Sequence, residues 1–373
     1  MIKLLEKISN LNIFKGISKK YDSVIGIDIG SSAIKIVEIK KRGGKAVLEN
    51  YGAIALAPYG GLEVGRAIAL TKAKIVEAMQ DLLNETKITV KNAAISIPTK
   101  DAMVSLIKVP ALSDKDLKSM IPIEARRYIP VPMSEVTLDF QVIPKEEVKG
   151  ARHSSGKKNK STGTIDVLIA AIHNNAITKY QEIKDMAALD VNLFEIEIFS
   201  TIRSVVGHDM SAIMIIDIGA GTTKVAIVEH GIVAGSHVVR RGSQDITIAL
   251  SKSLGISISE AEEVKRNPVT LDIATRKNFI DVASLPIEHI FSQANSVLLD
   301  YQKKHNKIIT KVILSGGGAL LEGLLDLAKE NFRTEVFIGD PFSRLETPAF
   351  MENTLKKTGP EFAVAIGLAL EAL

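Results

Sequence analysis

The sequence has 373 residues, no cysteine, no tryptophan, and only 5% aromatic residues. Without cysteine, disulfides, thiolate chemistry and cysteine-ligated metals are excluded, and a reducing compartment fits. Without tryptophan and with few other rings, a base-stacking platform for nucleic acid is not expected. No apolar run approaches the roughly 20 residues that cross a bilayer. No signal peptide with an apolar core and cleavage site opens the chain. The seven histidines are scattered, with no metal-ligand spacing and no pair on one helix face. His153, in a Lys/Ser/Gly-rich stretch, and His289 and His305, in a helical stretch, read as solvated or structural.

What is present is an ordinary globular composition, 46% apolar and 24% charged. The length exceeds one ordinary core, so two halves around a cleft are expected. The net charge of +4 is unevenly spread. Residues 1–20 and residues 145–160 each carry +4, which leaves the body mildly acidic. That argues against a nucleic-acid-binding core and for two basic appendages. The first has Met1, Leu4, Leu5, Ile8 and Leu11 at helical spacing and reads as a terminal amphipathic helix. The second lies in a Lys/Ser/Gly-rich stretch over 145–163 and reads as a flexible, solvated loop.

One stretch occurs twice. Ile27-Asp28-Ile29-Gly30-Ser31-Ser32-Ala33-Ile34-Lys35 aligns without a gap to Ile216-Asp217-Ile218-Gly219-Ala220-Gly221-Thr222-Thr223-Lys224. Each copy is an apolar run ending in Asp, a tip of small residues, and a second apolar run, the pattern of a β-hairpin. A small-residue tip turns several backbone N–H groups toward one point, a nest suited to phosphate oxygens. Gly30, Gly219 and Gly221 allow close approach, while Ser31, Ser32, Thr222 and Thr223 add hydroxyls. Asp28 and Asp217 at the strand ends suit a hydrated Mg²⁺, held through water. Lys35 and Lys224 either reach back toward phosphates or face solvent as ordinary strand residues.

Around the first copy the pattern predicts strands at Val24–Ile29, Ile34–Lys40 and Ala46–Leu56, a helix over Arg66–Leu83 and a strand at Asn92–Ile97. Residues 98–190 then read as an inserted α+β subdomain. Its helix starts at Ser113 and contains Pro122, a site for a kink or break. The Tyr128–Pro132 stretch is expected to be extended. The second half repeats the first with strands at Ile213–Ile218, Lys224–Glu229 and Ile232–Arg240. A charged helical stretch follows over Ser257–Gln302, and then a strand runs into Gly316-Gly317-Gly318 and a helix. Such a strand–glycine–helix element can face a nucleotide. Glu262 and Lys265, three apart on one helix face, suit either a surface ion pair or contacts to ribose and base.

The order of hairpin, insertion, second hairpin, Glu-x-x-Lys helix and triple glycine resembles the actin, sugar-kinase and heat-shock chaperone ATPase superfamily. Within it, the insertion in the first half is similar to the cell-division actin homologues (FtsA) and to the type IV pilus assembly (PilM) family. Glu124-Ala125-Arg126-Arg127-Tyr128-Ile129-Pro130, Asp139 to Val142, Val191 to Arg203, and the close on a helix from Glu361 to Leu373 favour the pilus branch. The cell-division branch is expected to end in a linker and an amphipathic helix.

The resemblance implies an α/β fold of the actin-like (ribonuclease H-like) duplicated type, with ATP and Mg²⁺ in the interdomain cleft. It implies a basic segment at 1–23 and a first half at 24–97, with 191–208 and 361–373 returning to it. It implies the insertion at 98–190 and a second half at 209–360 that includes a helical subdomain at 255–305. Asp28, Gly30, Ser31, Ser32 and Lys35 match the first phosphate motif, with Ala33 in place of a hydroxyl. Asp217, Gly219, Gly221, Thr222 and Thr223 match the second. Glu262, Lys265 and Gly316 to Gly318 match the adenosine side, and Glu197 matches the motif that approaches the attacking water. The implied role is a cytoplasmic scaffold under the inner membrane. It would hold the cytoplasmic tail of a bitopic partner (PilN) and contact the assembly ATPases, with Arg126, Arg127 and Tyr128 at the edge of the partner groove. Turnover of ATP is expected to be weak. A cell-division actin homologue and a small-molecule kinase of the same superfamily are the alternatives.

The clamp model yields a direct expectation. Asp217→Ala weakens retention of ATP with Mg²⁺ more than it disturbs folding, as measured by nucleotide content and thermal unfolding of the purified variant. Tight nucleotide in a folded Asp217→Ala protein contradicts it.

Overall fold

The computed structural model describes residues 21–143, 163–207, 209–268 and 273–373. The amphipathic start and the basic loop expected from sequence lie outside or almost outside these residues. The chain builds two five-stranded mixed sheets with one repeated topology. The first contains β1 (Ser23–Ile29), β2 (Ala33–Arg42), β3 (Lys45–Ala55), β4 (Asn92–Ile97) and β8 (Asp190–Ile196), in the order β3-β2-β1-β4-β8. The second contains β9 (Ile213–Ile218), β10 (Thr223–Glu229), β11 (Ile232–Val239), β12 (Lys311–Ser315) and β13 (Glu335–Ile338), in the order β11-β10-β9-β12-β13. In both, the first three strands run antiparallel and the remaining two join in parallel. Parallel strands covered on both faces need continuous apolar runs, and β9, Ile-Met-Ile-Ile-Asp-Ile, is buried at every position.

A third sheet, in the order β5-β7-β6, is made by β5 (Ala102–Pro110), β6 (Val136–Ile143) and β7 (Thr164–His173). One face is covered by α2 (Asp114–Ala125) through Leu117, Ile121 and Ala125. Helix α2 runs through Pro122 without interruption. Tyr128 still belongs to the turn that ends the helix, while Pro132, at φ −56° and ψ 136°, has the extended backbone expected of the stretch. Arg127, Tyr128 and Ile129 donate their N–H groups back to Glu124 and Ala125, so the helix ends in a tightened turn, with Ile129 buried beneath it.

Helix α1 (Lys72–Glu85) begins later than its periodicity suggests, with Thr71 as its N-cap. Residues 66–71 are drawn into other bonds: Ile68 N–H donates to the Ser31 carbonyl at 2.8 Å and Ala67 N–H to Gln244 Oε1 at 2.9 Å. Helix α3 (Asn174–Met186) buries Ala176, Tyr180 and Ile183 in the same core as Met79 and Leu82 of α1. It therefore sits with the first sheet, and the 98–190 stretch divides after β7.

Two helices lie at the centre. Helix α4 (Glu197–Val205) is almost wholly buried, including Ser200, Thr201 and Ser204, and shares a core with strands of both five-stranded sheets. The charged stretch of the second half forms α5 (Ser243–Leu254), α6 (Ile258–Arg266) and α7 (Ile273–His305). Helix α8 (Leu324–Phe332) packs on the second core. After α9 (Glu352–Thr358) the chain returns in α10 (Ala363–Ala372), whose Ala365, Ile366, Leu368 and Ala369 cover the first sheet. Contact there is backbone to backbone. A Cβ on Gly367 would overlap the Ser200 carbonyl of α4, and one on Gly26 of β1 would overlap the Ala365 carbonyl.

Gly367→Ala is therefore expected to destabilise the protein by about 3 kcal/mol through overpacking. Gly235→Ala, on β11 with nothing within 4 Å of the added carbon, is expected to leave stability almost unchanged. Urea unfolding of the two variants checks both.

Candidate functional site

The two repeated stretches are hairpins of matching register. In β1–β2, Asp28 stands opposite Lys35; in β9–β10, Asp217 stands opposite Lys224. Each turn is closed by the same bond, Gly30 N–H to the Ala33 carbonyl and Gly219 N–H to the Thr222 carbonyl, both at 3.0 Å. The tips meet across the cleft: a Cβ on Gly221 would lie 3.3 Å from the Ser31 hydroxyl and 3.4 Å from Ala67. Thr223 turns inward, and its hydroxyl donates to the Arg241 carbonyl at 2.9 Å. It supports the turn and does not present a donor to the cleft. Ser32 and Thr222 flank the tips and are partly buried.

Below the tips the acidic groups have fixed partners. Asp28 accepts from the Ser96 hydroxyl at 2.9 Å, and Ser96 also accepts from Ile29 N–H. Ser315 occupies the matching position beside Asp217 in the parallel neighbour of β9. Sequence reasoning missed both serines, although each is a polar residue breaking an apolar buried strand.

Glu197, the first residue of α4, accepts from Thr99 N–H at 2.7 Å and pairs with Lys224 Nζ at 3.0 Å. The same ammonium lies 3.2 Å from Asp217. Burial pushes the Glu197 carboxyl above its ordinary range. Burial works against the charged form of Lys224, but Asp217, Glu197 and Asp28 outweigh it and hold the ammonium on. The Thr99 hydroxyl is buried beside this group without a hydrogen-bond partner among the described residues. An orphaned hydroxyl there fits a site that accepts an oxygen-rich ligand.

The divalent ion expected at Asp28 and Asp217 fits this donor set poorly. The space between Asp217 and Glu197 belongs to an ammonium, and Asp28 is engaged by Ser96.

Gly316 and Gly318 are sterically required. Gly316 has φ +80°, and a Cβ on it would strike the Asp217 carboxylate; one on Gly318 would strike the Ile218 side chain. Gly317 has room, its nearest neighbour being Glu361 at 3.8 Å. The helix expected directly after the glycines is delayed. A short 3-10 turn, Gly317–Leu320, intervenes before α8.

Glu262 and Lys265 form a buried pair at 2.6 Å. Thr247 Oγ donates to Glu262 and accepts from Lys265, and Arg266 adds a bond to Glu262 at 2.9 Å. Burial raises the Glu262 carboxyl, but Lys265 and these bonds outweigh it, so its pKa is lowered. The pair is covered from the first half by Gly65, at φ +99°, and by Glu63, which accepts from Ser259 N–H at 2.9 Å. With the Ala67–Gln244 bond these contacts make residues 61–71 a strap across the cleft. Arg126, Arg127 and Tyr128 lie apart from all of this, exposed at the end of α2 beside the exposed Ile123, with Arg127 paired to Glu124.

Removing one member of a buried ion pair strands its partner. Lys224→Met is expected to cost about 3–5 kcal/mol of stability, as estimated for a broken buried pair. Adding Glu197→Gln is expected to recover part of it. Urea titrations of the single and double variants measure this coupling, and strictly additive losses contradict it.

The arrangement of two like halves closing paired Asp-x-Gly hairpins on one cleft is the actin-like fold, and comparisons with known proteins agree. The structure of a PilM–PilN type IV pilus biogenesis complex superposes with a TM-score of 0.78 at 24% identity, covering 95% of this chain and 99% of that one. The ethanolamine utilization protein EutJ of Carboxydothermus hydrogenoformans follows with a TM-score of 0.55 at 14% identity, covering 99% and 98%. Cell division protein FtsA of Neisseria meningitidis serogroup B is 24% identical over 372 residues, spanning 89% of this chain and 88% of its own. FtsA of Enterococcus faecalis is 22% identical over 364 residues, spanning 87% and 80%. The model of the type IV pilus assembly protein PilM matches residues 26–373. With nearly every described residue inside that match, the chain belongs to the PilM family of type IV pilus assembly proteins.

Proposed function

We propose that this protein is an ATP-binding scaffold of type IV pilus assembly. The observation that carries the nucleotide is the pair of identically closed hairpin tips meeting over buried Asp28 and Asp217, with Gly316 held against Asp217. Backbone N–H groups at Gly30, Ser31, Ser32, Gly219, Gly221 and Thr222 would receive phosphate oxygens. Lys35, opposite Asp28 on β2, is partly buried and has no ion-pair partner among the described residues, so its charge is available to add to that of Lys224 at the phosphates. The adenosine would lie toward Gly316–Gly318 and the Glu262–Lys265 pair. Turnover is slow in this reading, because Glu197 is engaged by Thr99 and Lys224 and is not free to orient water. Nucleotide then acts by favouring one closure of the halves.

The partner is the cytoplasmic tail of a bitopic inner-membrane protein of the PilN kind. Family membership and the likeness to a PilM–PilN complex support it. Exposed Ile123, Arg126 and Tyr128 at the end of α2 offer a mixed apolar and basic edge for it. No helix among the described residues is long and apolar enough to cross a membrane, so the chain would reach the cytoplasmic face of the inner membrane through that partner, and contact the assembly ATPases there. The likeness to FtsA favours a second reading, a cell-division scaffold, over the kinase.

Calorimetric titration tests the first reading. The protein is expected to bind ATP and, separately, a synthetic peptide of the PilN cytoplasmic tail from the same organism. Absence of tail binding, with binding of a cell-division partner in its place, would favour the second reading. The strap adds a kinetic expectation. Glu63→Ala with Gln244→Ala removes two bonds across the cleft and is expected to speed both association and release of nucleotide about tenfold. Stopped-flow fluorescence reads both rates, and unchanged rates mean that the strap does not gate the cleft.

A further inference from the structure

We propose that the Lys224 ammonium is the resident cation of the cleft, and that nucleotide phosphates bind there without needing a divalent ion. The proposal rests on the nucleotide reading above and deepens it.

Four observations place the ammonium where a metal would act. Cross-strand register fixes Lys224 directly opposite Asp217, beside the turn. Its Nζ lies 3.0 Å from Glu197 and 3.2 Å from Asp217, so it bridges the central helix and the second hairpin. The same atom is 3.5 Å from the position a Cβ would take on Gly219. It therefore lies against the turn whose amides form the phosphate nest. Finally, the site is enclosed: the Lys224 side chain is 14% exposed, and the carboxylates of Glu197 and Asp217 are 9% and 7% exposed.

An ammonium has three N–H donors and no acceptor. Two of these meet Glu197 and Asp217, and the third is left for an oxygen at the tip. A divalent ion between the same carboxylates would lie within a few ångströms of a buried positive charge. In a medium of low effective dielectric that repulsion is several times larger than in water. One lysine thus does in place what Asp28 and Asp217 would otherwise do through a hydrated ion. Lys35 underlines the asymmetry. It holds the matching position on the first hairpin, yet makes no ion pair with a described residue.

The test is equilibrium binding of a fluorescent ATP analogue to the full chain, with excess Mg²⁺ or with EDTA. Wild-type affinity is expected to differ by less than about threefold between the two conditions. Lys224→Met/Glu197→Gln removes the ammonium together with one of its carboxylate partners. That variant is expected to bind weakly in EDTA and to regain about tenfold or more with Mg²⁺. A wild-type protein that loses tenfold in EDTA overturns the proposal, as does a double variant that stays indifferent to metal.

If neither protein binds nucleotide in either condition, the ATP reading falls, and the cation is decided separately. Electron paramagnetic resonance titration of Mn²⁺ then compares the nucleotide-free proteins. No stoichiometric site in the wild type and a gained site in the double variant support a resident ammonium. A stoichiometric Mn²⁺ site in the wild type, or no gained site in a folded double variant, overturns it.

Discussion

The structure turns on one buried ammonium. Lys224 sits on the second hairpin, Glu197 begins the helix that shares a core with strands of both sheets, and Asp217 stands opposite Lys224 near the end of β9. A charge removed from water is tolerated only with close, well-directed partners. The second hairpin therefore cannot move away from the central helix without exposing or stranding charge. Thr99 N–H extends the constraint to the first half, since it fixes the other oxygen of Glu197. The floor of the cleft is one bonded unit drawn from the second repeat, the central helix and the first half.

Around that floor, packing is held at backbone distance. Gly26 and Gly367 let α10 lie directly on β1 and on α4, and Gly316 lets the chain pass beside the Asp217 carboxylate. Interiors this dense transmit small displacements. The upper edge of the cleft is different in kind. Glu63 to Ser259 N–H and Ala67 N–H to Gln244 are isolated bonds on partly exposed groups. Such contacts are worth little and exchange readily with water. The cleft thus combines a rigid base with a labile rim, the division of stiffness that a ligand-responsive hinge needs.

Much of this was legible in the residues. The two Asp-x-Gly tips, their glycines and the small-residue closing helix are strong local signals, because hairpin chemistry and period-two burial need no knowledge of distant parts. The sequence also carried Lys224 as one of two equivalent lysines. What it did not carry was their inequality, since Lys224 meets Glu197 only after α4 is placed under the second sheet. Ser96 was passed over for the same reason, since it matters through the Asp28 carboxylate on the neighbouring strand, and Ser315 because its hydroxyl meets the distant Pro360 carbonyl. The late start of α1 was not legible because hydrogen bonds from Ile68 to Ser31 and from Ala67 to Gln244, formed by the fold, override the local periodicity.

Helix α10 has a consequence for the order in which the chain matures. It covers the first sheet, yet it is made after every strand of the second. During synthesis the residues of β1 to β4 emerge first and then wait, one face bare, while β9 to β13 and their helices are completed from contiguous sequence. Domains generally form as units when their parts are available. The face of the first sheet that α10 covers is therefore the last part of that half's core to close, although the opposite face is packed by residues made earlier.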